Sequence, residues 1–227
     1  MSNEDYADII TFASDFSGHD AAIVERVKEM AAHPPTDMET IGFYSGDGYP
    51  PRARLFLATV NLLDGKEKLY SVEDKYTSEI FSIWQEKGLI QEDELPPVAK
   101  SVFGPLLVGE SPSGKIEDYQ DLVWNNYAQA TQELEKYFAE RGKVLLSIDA
   151  TEGDTMFFAL VPADIAARWR DRALAEYEQY KGGVRSPMWD RFWVYLNYST
   201  RGLMGDESRK DLPPGTAKRL DSIPFAK

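Results

Sequence analysis

The sequence predicts an α+β fold, with a small, mostly antiparallel sheet flanked by several α-helices. The strongest indication lies in residues 141–174, where apolar runs at 144–148 and 156–161 are separated by a polar turn at 150–154. Two short apolar runs joined by such a turn are typical of a β-hairpin. Most other apolar residues recur every three or four positions, as amphipathic helices require. The chain has 227 residues, of which 43% are hydrophobic and 12% aromatic, enough to fill a core.

Two helices are predicted at the N-terminal end. Residues 4–16 carry apolar side chains at spacings of three and four, with acids in the first turn. Asp20 is a suitable N-cap for a second helix, because its carboxylate can accept hydrogen bonds from the free N–H groups of the first turn. That helix is expected to end at His33, because Pro34 and Pro35 follow it.

Residues 52–63 admit two interpretations. Asp64 and Gly65 form a strong two-residue turn signal, which would make this segment the first strand of a β-hairpin. Alternatively, Pro51 suits the first turn of a helix, the apolar residues that follow keep helical spacing, and Gly65 is a good C-terminal stop. We favour the helix.

The remaining elements follow from the same patterns. A strand is predicted at 67–72, a helix at 75–87 and the longest amphipathic helix at 116–140. After the hairpin, a helix is predicted at 163–180. Its apolar side is formed by Ile165, Trp169, Ala173, Leu174 and Tyr177.

The chain is predicted to divide at Gly182 and Gly183, the best internal boundary. Residues 1–181 would form the α+β domain. Residues 182–227 would add an aromatic helix and a basic tail packed on that domain, so that the whole is a single compact unit.

The order of these elements resembles a bacterial family known only as a domain of unknown function. The resemblance lies in the strand that ends in acids at 69–74, in the strands at 144–149 and 157–162, and in the helices around them. It covers residues 1–181. It implies an α+β domain without an assigned activity and supplies no functional residues.

Charge limits the classes of partner. The formal net charge is −13, and residues 1–181 carry 33 acids against 17 bases, whereas residues 182–227 carry eight bases against five acids. An acidic body repels phosphate backbones and anionic lipid, so no nucleic-acid or membrane partner is expected. A basic protein is the electrostatically favoured partner, and a second copy of the chain is the other candidate.

The sequence also indicates a cytoplasmic protein. No apolar run approaches the ~18 residues that a membrane span requires, and the first residues are acidic where a secretory signal is basic and then apolar. The absence of cysteine removes disulfides, thiolate catalysis and cysteine metal sites. His19 and His33 are the only imidazoles, and no hydrolase pattern accompanies them. No cofactor is expected.

Residues 109–115 match the glycine and lysine positions of a phosphate-binding loop. In such loops the backbone N–H groups surround phosphate, the lysine contacts phosphate oxygens, and a Ser or Thr after the lysine binds magnesium. Here Ile116 follows Lys115, and Pro112 removes one N–H group. We therefore interpret the segment as a loop before a helix that does not bind nucleotide.

A metal site is the second chemical hypothesis. Asp149, Glu152 and Asp154 lie at the hairpin, and Glu73 and Asp74 end the earlier strand. Carboxylates that converge at strand ends can bind a hard cation. Their spacing departs from the calcium-loop pattern, and acids are common in exposed turns, so we interpret Thr151 to Asp154 as an exposed hairpin tip.

The C-terminal region carries an interaction hypothesis. Four large apolar residues recur there at spacings of three and four, so one helix face would need covering. We favour packing in cis, against Trp169 and Tyr177; packing in trans would make this face a partner surface. The residues are Trp189, Phe192, Trp193 and Leu196.

These observations predict a non-catalytic cytoplasmic binding or accessory protein, of the kind that neutralises a basic partner such as a toxin. The alternative is an enzyme that depends on a metal held by the hairpin acids or on a nucleotide held by the Lys115 loop.

Overall fold

The computed structural model describes residues 3–42, 48–73, 79–107, 116–150, 155–177 and 180–185. Within these ranges none of the helices is long and apolar enough to cross a bilayer. The helices are α1 (Ala7–Ser17), α2 (Ala21–Ala32), α3 (Met38–Ile41), α4 (Pro51–Gly65), α5 (Glu79–Glu86), α6 (Pro97–Leu107), α7 (Ile116–Glu140) and α8 (Ala163–Trp169). The strands are β1 (Tyr70–Glu73), β2 (Lys143–Asp149), β3 (Thr155–Pro162), β4 (Ala173–Tyr177) and β5 (Tyr180–Arg185).

The chain forms two compact units. The first contains the residues up to Ser71 together with Lys143–Pro187, and the second contains Val72–Gly142 together with Met188–Lys227.

The five strands of the described chain form one sheet in the order β1-β3-β2-β5-β4. The pairs β2–β3, β2–β5 and β4–β5 are antiparallel, which confirms the predicted α+β class with its mostly antiparallel sheet. In the central pair Leu146 lies opposite Ala159, and on the other side of β2 Ile148 lies opposite Val184. Consecutive residues of β2 and β3 are buried, which explains their continuous apolar runs.

Helices α1, α2, α4 and α8 pack with one face of the sheet to form the core of the first unit. The centre of this core is aromatic. The Trp169 ring is fully buried, with its centroid 5.6 Å from that of Phe12 and 6.4 Å from that of Phe16. Trp169 is therefore a core residue of α8 and is covered by α1. The aromatic segment that was predicted to pack against Trp169 lies outside the described residues, so that packing stays a prediction.

The N-terminal predictions are confirmed. Asp20 caps α2, since its Oδ1 accepts hydrogen bonds from the N–H groups of Ala22 and Ile23 at 3.0 and 3.3 Å. Residues 52–63 are helical within α4, so the hairpin interpretation is wrong. Six consecutive residues from Leu55 to Val60 are buried, because α4 is packed on nearly all sides.

The predicted helix at 163–180 is wrong in its second half. Helix α8 ends at Trp169, and a turn leads into the β4–β5 hairpin. The apolar residues of this segment are spaced by four, which fits a helix: Ile165, Trp169, Ala173 and Tyr177. Residues 173–177 nevertheless form a strand, because β4 pairs with β5.

Gly182 and Gly183, predicted as an internal boundary, lie inside β5. At Gly183 a Cβ atom would lie 2.3 Å from the carbonyl oxygen of Arg172, so only glycine allows this close approach. Gly183 therefore serves strand packing.

The second unit is helical over most of its described residues. Its core is built from α5, α6 and α7, with Phe81 and Phe103 stacked at 4.6 Å and Trp84 edge-on to Phe138 at 5.6 Å. The long helix predicted at 116–140 matches α7.

Candidate functional site

Helix α7 supplies a cap for the first turn of α6. Helix α6 begins at Pro97, directly after Pro96, so no Ser, Thr, Asp or Asn precedes it to cap its free N–H groups. The Glu133 Oε2 atom accepts both hydrogen bonds instead, from Val98 N at 3.0 Å and Ala99 N at 2.9 Å. One carboxylate thus joins α6 to α7 at the end of α6 where the helix dipole favours negative charge.

The surroundings of Glu133 keep it ionised. Burial raises the pKa of Glu133, but the Ala99 N–H, the Gln129 amide, the Val98 N–H and the Lys136 charge together hold that pKa below the usual glutamate value. A carboxylate held as an anion by so many donors is a poor general acid or base at neutral pH. Its geometry is that of a structural cap.

An open depression lies above this contact, lined by Gln129, Gln132, Glu133 and Lys136. Gln129 donates to the second oxygen of Glu133 at 3.0 Å, so both oxygens of the carboxylate are engaged. The described residues of the depression offer amide and ammonium groups to a partner.

The C-terminal turn of α7 meets the 3-10 turn Glu92–Glu94. Arg141 Nη2 lies 2.5 Å from Glu94 Oε2, and the guanidinium carbon is 3.6 Å from the centroid of the Tyr137 ring. The Tyr137 hydroxyl accepts from Gln91 N at 3.2 Å and donates to Glu94 at 3.4 Å. These contacts fix the backbone of the 3-10 turn beside the helix end.

We name this surface the acidic corner and define it as Glu92, Asp93, Glu94, Glu140 and Arg141. Glu92 lies 3.5 Å from Lys100, and Glu140 lies 3.7 Å from Lys136. Asp93 is exposed and makes no ion pair within the part of the chain that the structure describes. The corner therefore presents carboxylates to solvent on a backbone held by long-range contacts.

The first unit contains a different carboxylate arrangement. Asp15 on α1 has a side chain that is only 2% exposed, and its Oδ2 atom accepts from Trp169 Nε1 and from Arg168 Nη1, each at 2.7 Å. It binds α8 to α1 inside the core. Because the carboxylate is buried and both contacts go to side chains of α8, Asp15 is a structural anchor.

The histidines do not form a catalytic group. His19 has φ +62° after Gly18, and its Nδ1 atom lies 2.9 Å from the Ser14 hydroxyl, an exposed contact within one helix end. His33 follows the last residue of α2, where the sequence predicted that the helix ends, and its side chain is exposed.

The predicted metal ligands are only partly described. Asp149 ends β2, half-buried and opposite Gly183, whereas Glu152 and Asp154 lie outside the described residues. No group of three potential ligands is present in the ranges that the structure covers. Glu73 ends β1, and Asp74 lies outside those ranges.

Two further predicted sites lie outside the described residues. They are the loop at 109–115 with Lys115, and the aromatic face formed by Trp189, Phe192, Trp193 and Leu196.

Sequence reasoning missed Asp15 and Glu133, two of the carboxylates that make long-range contacts. Asp15 stands within the apolar face of α1 between Phe12 and Phe16, and an acid in that position is a usable signal. Glu133 lies on the polar side of α7 and carries no such signal. The uncapped start of α6 at Pro97 was the available indication that another segment had to supply the cap.

No family model, curated protein or solved structure matches this chain.

Proposed function

We propose that this chain is a non-catalytic cytoplasmic binding or accessory protein whose acidic corner recognises a basic protein partner. The observation that carries the proposal is the exposed 3-10 turn Glu92–Glu94, fixed by Tyr137 and Arg141 beside the end of α7. A surface that is ordered before binding loses less conformational entropy when a partner docks.

The charge of the second unit supports the same proposal. Residues 72–142 carry fourteen acids against six bases. At physiological ionic strength fields decay over about 8 Å, so the charges nearest the corner dominate the encounter with a partner. The field of this unit would attract a partner with a basic surface. The lysines and arginines of that partner would pair with Asp93 and Glu140.

Neutralisation of a basic toxin is the specific form of this proposal. A toxin that acts on an anionic target carries a basic surface, and an acidic protein that covers this surface blocks the target.

The experiment uses the full chain and the products of its neighbouring genes. Each neighbour with an isoelectric point above about 9 is purified and titrated into the chain by calorimetry, with hen lysozyme as an unrelated basic control. We expect one neighbour to bind saturably, and at least about tenfold more tightly than lysozyme. Equal affinity for lysozyme and for every basic neighbour would contradict the proposal.

A further inference from the structure

We draw no further inference here: the strongest candidate, the half-buried Arg54 guanidinium in the first turn of α4, whose buried Nε atom has no hydrogen-bond partner among the described residues, is a single arginine beside a helix N-terminus, and nothing in the structure shows what it would bind.

Discussion

The two units use a carboxylate between helices in opposite ways. In the first unit Asp15 is almost fully buried and accepts from two side chains of α8, Arg168 and Trp169. In the second unit Glu133 stays near the surface and accepts from two backbone N–H groups of α6. Asp15 therefore stabilises the packing of side chains in a core, whereas Glu133 stabilises the end of one helix.

This difference predicts how each unit responds to loss of its carboxylate. A buried donor that loses its acceptor bears the full cost of desolvation, about 1–3 kcal/mol, whereas a helix end near the surface can be hydrated instead. The first unit should be sensitive to single substitutions at its anchors, and the second should tolerate them better.

The largest effect is expected for Asp15→Ala. It leaves Trp169 Nε1 without its acceptor inside the core, and the free energy of unfolding should fall by about 3 kcal/mol. Urea denaturation followed by tryptophan fluorescence measures this. Asp15→Asn keeps one acceptor oxygen and should lose about half as much. An alanine variant that unfolds with the unmodified midpoint would show that the anchor contributes nothing.

The next largest effect is expected for Gly183→Ala, which tests the close approach of β5 to the Arg172 carbonyl. The added Cβ atom would meet backbone at 2.3 Å, so the strand must shift, at a cost of about 2 kcal/mol. The control is Gly65→Ala, because a Cβ atom on Gly65 would meet open space and the backbone there is not left-handed. Gly88 is unsuitable as a control because its φ is +69°. Gly65→Ala should leave the melting temperature nearly unchanged, and an equal loss in both variants would contradict the account.

Glu133→Gln should reduce stability by about 1 kcal/mol, because the amide oxygen can still accept from both N–H groups but carries no charge to complement the start of α6. Glu140→Gln on the same helix removes only an exposed pair with Lys136 and serves as the control. A loss as large as that of Asp15→Ala would remove the contrast between the units.

The smallest effects concern the pH dependence of the free energy of unfolding. The carboxylates of the two units should change this free energy in opposite directions as the pH rises. The pKa of Glu133 is held below its usual value, so its stabilisation is present above about pH 4.5 and is lost as the pH falls through the folded pKa. The difference between the unmodified chain and Glu133→Gln should therefore shrink below that pH.

In the first unit Asp64 behaves in the opposite sense. Burial raises the pKa of Asp64 above its usual value, although the Ser71 hydroxyl hydrogen bond lowers it. The folded state then holds the proton more tightly, so stability falls as the pH rises through that raised pKa. Asp64→Asn should be more stable than the unmodified chain at pH 7, by about 0.5 kcal/mol, and equal to it at pH 3. Chemical denaturation at both pH values measures the difference.

Local patterns were enough to predict the elements that depend on local chemistry. Asp20 followed by a helical pattern located the start of α2, and Pro51 with Gly65 located both ends of α4. The β2–β3 hairpin was visible because its strands are close in sequence.

Long-range contacts set the parts that were missed. Residues 173–177 fit a helix by spacing, and only pairing with β5 makes them a strand. Asp15 meets Trp169 across 154 positions, and Glu133 reaches Ala99 across 34. Spacing within one segment cannot report such partners, so both carboxylates escaped prediction.

The most direct test of the binding proposal measures the association rate constant with the basic protein encoded by a neighbouring gene. Stopped-flow measurements at about 50 and 300 mM NaCl give the salt dependence of this rate constant. The corner variant Asp93→Lys/Glu140→Lys is compared with Glu25→Lys/Glu29→Lys, which reverses the same charge on α2 of the other unit. We predict that the corner variant associates about tenfold more slowly at low salt, whereas the α2 variant stays within about twofold of the unmodified chain. Equal slowing of both variants would show that only the overall charge matters and would contradict a binding site at the acidic corner.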